Sequence, residues 1–160
     1  MATIQKITPM LWFDRQAEEA AKYYTSIFPN SGTGRTSRYG KEGFEYHQMP
    51  EGTVLTIDFT LDGQKFSALN GGPIFKFNES ISFVVSCKDQ KELDYYWDKL
   101  KQGGDEKSQQ CGWLKDKFGV SWQIVPSILP ELMDDPKRSG RVMSALMQMK
   151  KLDIKKLEEA

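Results

Sequence analysis

Two cysteines and one histidine in 160 residues leave little material for metal or thiol chemistry. Cys87 and Cys111 are too few and too far apart for a disulfide scaffold or a structural zinc site. No run approaches the about 18 consecutive apolar residues that a membrane-crossing helix needs. Acidic and basic residues balance at 22 each, so no net field draws the chain to nucleic acid or to an anionic membrane. The opening residues, Met1 to Lys6, lead into a strand-like segment without the apolar stretch of a signal peptide. There is no Gly-x-Gly-x-x-Gly and no low-complexity linker. A cytoplasmic, reduced protein is expected, with no nucleic-acid partner, no membrane partner and no cofactor.

What is present is a pair of hairpins. Thr53–Leu61 and Gln64–Asn70 are strand-like runs joined by Asp62-Gly63, a dipeptide suited to a two-residue hairpin turn. Gln109–Leu114 and Val120–Pro126 flank Lys115-Asp116-Lys117-Phe118-Gly119 in the same manner. Each hairpin follows a strand and a helix. Thr8–Phe13 precedes a helix predicted over Gln16–Phe28, whose stripe is Ala17, Ala20, Ala21, Tyr24, Ile27 and Phe28. Ser82–Cys87 precedes a helix from Gln90, with Leu93, Trp97 and Leu100 as its stripe. The expected order is βαβββ twice, α+β in class. Module one covers about 5–73, module two about 79–127 and a helical tail about 130–160, all as one domain. Asp135-Pro136 reads as the start of a tail helix carrying Val142, Met143, Leu146, Met147 and Met149, and a second helix is expected after Asp153.

Side chains alternate across a strand, which assigns faces. Leu11, Phe13, Leu55, Ile57, Phe59, Phe83, Val85, Trp122 and Ile124 are expected under the helices. The opposite face carries Thr8, Met10, Trp12, Thr56, Asp58, Ser82, Val84, Ser86, Ser121, Gln123 and Val125. It reads either as a solvated outer face or as the mixed lining of a small-molecule cleft.

With these segments in view the chain resembles the vicinal oxygen chelate superfamily, which includes glyoxalase I, extradiol dioxygenases and bleomycin-resistance-type proteins. Within it the chain is similar to the PhnB-like group, often labelled demethylubiquinone methyltransferase domains. The resemblance rests on Thr8–Phe13 with Ala17-Glu18-Glu19-Ala20, on Phe66–Pro73, and on Cys111–Asp116 continuing to Trp122–Pro126. It implies two βαβββ modules forming a U-shaped mixed sheet around a cleft, followed by C-terminal helices, in a homodimer. Metal-dependent members carry ligands, typically His and Glu, on the first and last strands of each module. The matching positions are Thr8 and Ser67, and Ser82 and Gln123. None is His, Asp or Glu, and neutral hydroxyls and an amide are poor ligands for a divalent transition metal.

The resemblance therefore implies a metal-free small-molecule-binding protein, with Thr8, Met10, Trp12, Asp58, Ser67, Ser82, Trp113 and Gln123 as ligand-binding candidates. The alternative is an enzyme that works without the usual metal, by methyl transfer or by lyase or isomerase chemistry. Its weak catalytic candidates are His47, Asp58 and Cys111. His47 is a solvated loop residue or, if its loop folds over the cleft, an acid or base. Asp58 is an exposed carboxylate, half of a cross-strand pair, or a cleft group. Cys111 has no histidine beside it in sequence to activate its thiol. Cys87 closes an apolar strand and reads as core.

Overall fold

The computed structural model describes residues 4–160. Two compact units divide the chain, one ending at Lys76 and the other running from Phe77 to Ala160. The architecture is α+β, with a four-stranded and a three-stranded sheet and C-terminal helices.

The first unit runs β1 (Met10–Phe13), α1 (Ala17–Ile27), β2 (Gly32–Arg38), α2 (Phe44–His47), β3 (Val54–Leu61) and β4 (Gln64–Asn70). Its sheet order is β1-β4-β3-β2, with β1 parallel to β4 and the other pairs antiparallel. The stripe read from the sequence makes α1 a packing helix: Ala17, Ala20, Ala21, Tyr24 and Ile27 are all buried. Three alanines allow a close approach to the sheet, and the Tyr24 ring stacks on Phe59, which stacks in turn on Phe66. Burying each of the large side chains contributes about 1.5–3 kcal/mol. Asp62 and Gly63 both take positive φ, 45° and 80°, the mirror-image turn whose twist matches a two-residue hairpin. The helix N-terminus is closed from the sheet: the Asn70 side-chain oxygen accepts the Ala17 N–H at 2.9 Å, and its amide donates to the Val54 carbonyl. Thr8 and Pro9 fall outside β1, and the loop expected between Tyr39 and Gly52 contains the single turn α2.

The second unit runs β5 (Ser82–Cys87), α3 (Gln90–Leu100), one turn of 3-10 helix (Glu106–Ser108), β6 (Trp113–Lys115) and β7 (Ser121–Pro126). Its sheet order is β5-β7-β6, β5 parallel and β6 antiparallel to β7. One expected strand is therefore absent from the second repeat, which is βαββ. The segment that would have formed it, Gly103 to Gln110, is polar and opens on two glycines. Asp105 instead accepts the Lys107 N–H and caps the 3-10 turn. The reading of α3 holds: Asp89 caps it by accepting the Glu92 N–H, and Leu93, Tyr96, Trp97 and Leu100 are buried.

The tail forms α4 (Leu129–Asp134), α5 (Ser139–Met147) and α6 (Ile154–Glu158). α4 was not expected, and α5 starts later than Asp135-Pro136. The Asp135 carbonyl accepts the Arg138 and Ser139 N–H groups, so Asp135–Arg138 is a turn leading into the helix. Asp153 caps α6, as its sequence position suggests, by accepting the Lys156 N–H. Val142, Leu152 and Leu157 are wholly buried and hold the tail to the second unit. Among the described residues no helix is long and apolar enough to cross a membrane.

Candidate functional site

α1 covers one face of the first sheet and leaves the other open. Register places Met10, Ser67 and Asp58 side by side across β1, β4 and β3, with Trp12, Leu69 and Thr56 in the next row. Ser67 is buried, and its hydroxyl donates to one Asp58 carboxylate oxygen at 2.9 Å, orienting a carboxylate that is itself exposed. Met10 is 56% exposed, so its thioether is open to solvent on this face of the sheet. Met10, Ser67 and Asp58 line an open depression of about 820 Å³, with Thr8, Thr60, Arg35 and Lys65 also on its wall. Thioether surface, hydroxyls and one fixed carboxylate are the mixture a small organic ligand requires: apolar area for affinity and a few polar groups for orientation.

Other sequence candidates take different positions. Trp12 borders this face but is packed within its own unit. Its indole N–H donates to the Gly72 carbonyl at 2.9 Å, and the Phe75 ring meets it edge-on at 4.9 Å. Gly71 lies so close beneath the indole that a Cβ there would sit 2.2 Å from it. His47 is tied to the backbone of its own loop. Its Nδ1 accepts the Met49 N–H at 2.9 Å, which places the ring proton on Nε2, and Nε2 reaches the Glu42 carbonyl at 3.0 Å. With the ring also against Tyr39, neither nitrogen is open for acid–base work. Tyr39 donates to the Asn70 carbonyl, and burial raises its phenol above the ordinary value. Cys111 is a turn residue. It and Gly112 take positive φ, 54° and 83°, between the bridged residues Gln110 and Trp113. Its thiol accepts the Gln110 amide at 3.6 Å, and no hydrogen bond to a base is found for it among the described residues.

The open face of the second sheet carries two rows. Val84, Gln123 and Trp113 align in one, and Ser82, Ser121 and Lys115 in the other. The Gln123 amide donates to the Ser82 hydroxyl at 2.9 Å. Lys115 pairs with Glu79 and holds its carboxyl below the ordinary value. Ser121 is 1% exposed, and its hydroxyl has no hydrogen-bond partner among the described residues. The sequence placed Ser121 on this face. It did not single out Ser121 or Lys115, because only the three-stranded register aligns them with Ser82.

Thr8, Ser67, Ser82 and Gln123 offer only hydroxyls and an amide, poor donors for a divalent transition metal. In the first unit they are hydroxyls, and Ser67 is committed to Asp58. In the second, Gln123 is committed to Ser82. Among the described residues no group of three His, Cys, Asp or Glu could hold a metal ion.

Comparison with known proteins agrees with this architecture. Residues 5–125 match the family model of 3-demethylubiquinone-9 3-methyltransferase. A candidate 3-demethylubiquinone-9 3-methyltransferase, PhnB protein, from Bacillus cereus is 39% identical. The likeness covers 76% of this chain and 99% of that one, with a TM-score of 0.64. A Staphylococcus aureus protein is 34% identical over 78% of this chain and 97% of its own, with a TM-score of 0.34. A Pseudomonas aeruginosa protein is 17% identical over 76% of this chain and 96% of its own, at a TM-score of 0.51, a likeness of fold. No curated protein matches the chain.

Proposed function

Because the chain belongs to the 3-demethylubiquinone-9 3-methyltransferase family, which includes PhnB proteins, we propose that it binds a small, partly aromatic molecule on the open face of its first sheet, without a metal. The observation that carries this reading is the Met10–Ser67–Asp58 row over a depression of about 820 Å³. Ser67 holds one Asp58 oxygen, leaving the other to accept a donor from the ligand, while Met10 adapts its flexible thioether to an apolar or aromatic body.

Methyl transfer, named for the family, is the other reading, and the local geometry favours it less. A nucleotide-like methyl donor wants a glycine-rich turn and free N–H groups where a strand meets a helix. The β1–α1 turn is Asp14-Arg15-Gln16 and the β5–α3 turn is Lys88-Asp89, with no glycine in either. Asn70 already takes the Ala17 N–H at the first helix, and Asp89 and Glu92 take N–H groups at the second. These residues do not fit such a donor.

Native mass spectrometry of protein purified from cell extract tests the binding reading. A retained organic molecule is expected, with about one equivalent per chain, depleted in Asp58→Ala and Met10→Ala. Absence of any retained mass, together with no saturable change in tryptophan fluorescence across a panel of aromatic compounds, overturns it. Elemental analysis is expected to find no stoichiometric zinc, nickel, iron or manganese, and one tightly held metal per chain would refute the metal-free part. The exposed Met143 and Met147 of α5 support a two-fold homodimer as the working assembly.

A further inference from the structure

We propose that the molecule bound on the first sheet is a hydroxylated aromatic monocarboxylate, and that Arg35, Asp58 and Met10 read its carboxylate, its hydroxyl and its ring. This inference rests on the small-molecule reading above and adds the chemical class of the ligand. Its starting point is a bulge in β2. Thr33 faces Phe59 and Thr36 faces Ile57, so two β2 residues, Gly34 and Arg35, stand opposite Asp58 alone. Gly34 lies against Asp58, where a Cβ on it would come within 3.6 Å of the Asp58 Cβ. Having no side chain, it leaves the space to Arg35, which lines the same depression as Asp58. The bulge thereby extends the Met10–Ser67–Asp58 row onto a fourth strand and ends it on a guanidinium.

Charge gives the class of the first group. Arg35, Lys65 and Asp58 are the ionised side chains on the wall, two cations against one anion, and all three are exposed. Among the described residues neither cation forms an ion pair. Asp58 stands opposite Arg35, but Ser67 draws its carboxylate toward β4, on the other side of β3 from β2. A guanidinium presents paired N–H donors that match a carboxylate two at a time. A monoanion brings the wall to neutrality. A dianionic phosphate would leave it negative beside Asp58.

The order of the row sets the order of groups in the ligand. Neighbouring strands lie about 4.8 Å apart, so Asp58 is one strand from Arg35, and Met10 is two strands further, about 10 Å. The acid and the hydroxyl of the ligand therefore sit a few bonds from each other, with the aromatic body beyond them. The Asp58 oxygen that Ser67 does not engage accepts the hydroxyl. The Met10 thioether, exposed at the far end of the row, takes the ring. A 2-hydroxy acid with an aryl substituent has this sequence of groups.

Mandelate, its neutral amide mandelamide, phenylacetate and inorganic phosphate, titrated into the protein at pH 7 and followed by amide chemical shifts, test this. Mandelate is expected to bind about tenfold tighter than mandelamide, roughly threefold or more tighter than phenylacetate, and tighter than phosphate. The shifts should fall on β2, β3 and β4 around Arg35, Asp58 and Ser67. Arg35→Gln should abolish the preference for mandelate over mandelamide, and an unchanged urea midpoint will show that this exposed substitution leaves the fold intact. Asp58→Asn should keep that preference and tighten phenylacetate, since it removes the carboxylate nearest the bound acid. Lys65→Gln, one row away beside Thr60, should weaken mandelate less than Arg35→Gln does. Equal affinity for mandelate and mandelamide, tighter phosphate than mandelate, or an undiminished preference in Arg35→Gln would each overturn the carboxylate inference while leaving small-molecule binding standing. So would a neutral molecule retained from extract. If no compound perturbs the protein at millimolar concentration and nothing is retained from extract, both fall together.

Discussion

Asp116 ties the turn of the second hairpin to its strands. One of its oxygens accepts the Phe118 and Val120 N–H groups, the other accepts the Trp122 indole N–H at 2.9 Å, and the residue is 2% exposed. Removing it strands three donors in a dry place. Asp116→Ala is expected to cost on the order of 3 kcal/mol or more, read from urea unfolding, because hydrogen bonds to a charged group are worth about 1.5–3 kcal/mol each. A loss below about 1 kcal/mol would mean the turn is held by its backbone alone. The two cysteines differ for equally local reasons. Burial, then the nearby Glu92 and Asp89 carboxylates, pushes the Cys87 thiol up to about 12, whereas Cys111 is partly exposed on its turn. A thiol reagent at pH 8 is expected to label Cys111 and spare Cys87 in the folded protein. Since the folded value of Cys87 lies above its ordinary 9.0, the stability it contributes is present below pH 9.0 and declines as pH rises toward about 12. Alkaline melting curves that stay flat over that interval would contradict the assignment.

At the scale of elements, the tail holds the turn at Cys111–Gly112. The Met149 and Lys150 carbonyls accept the Cys111 and Gly112 N–H groups at 2.8 Å, and the Gln110 amide donates to the Met147 carbonyl. Gly112 is pressed so closely under Leu152 that a Cβ would meet its side chain at 3.1 Å. Leu152 has no exposure, and Lys151 pairs with Asp94 of α3 beside it at 2.8 Å. Leu152→Ala should therefore cost about 2–5 kcal/mol, the range for a large buried aliphatic side chain cut to alanine. Amide exchange at Cys111 and Gly112 should accelerate with it, because their acceptors are in the tail. Protection unchanged at those two amides would separate the tail from the turn. The turn leads directly into Trp113, so the tail also steadies one wall of the second sheet's open face.

For the whole molecule, assembly is the property most open to direct measurement. An edge strand offers unpaired backbone groups that another chain can use, and β1, β2, β5 and β6 are edges of their own sheets. α5 adds Met143 and Met147, 42% and 58% exposed. A two-fold dimer presents the same patch from each copy. Sedimentation at micromolar concentration should return about twice the chain mass of 18.3 kDa. A monomer that persists at high concentration would refute the dimer and leave the Met143–Met147 stripe as ordinary solvent-facing surface.

Periodicity in the sequence was enough for α1 and α3, the Asp62-Gly63 hairpin, a short helix after Asp153 and the two faces of β1, β3, β5 and β7, because all of these depend on residues at most a few places apart. It was not enough for the strand missing from the second repeat or for α4. In the second repeat a polar segment without periodicity is capped by Asp105 into a 3-10 turn, and α4 is a six-residue helix too short to show a stripe. Asp58 could be placed on the open face from alternation, yet its Ser67 partner came only from the β3–β4 register. The fate of His47 was not legible either. Its two ring bonds depend on how Glu42 to Met49 coils back on itself, and a lone histidine in a polar loop carries no periodic signal of that. The same holds for Ser121: its residue type and face can be read from the chain, but whether its hydroxyl has a partner depends on which strands lie beside it. Local spacing determines elements and faces. Which side chains meet across strands, and which polar group is left without a partner, is decided by tertiary register, because hydrogen bonds act over about 3 Å between residues far apart in sequence.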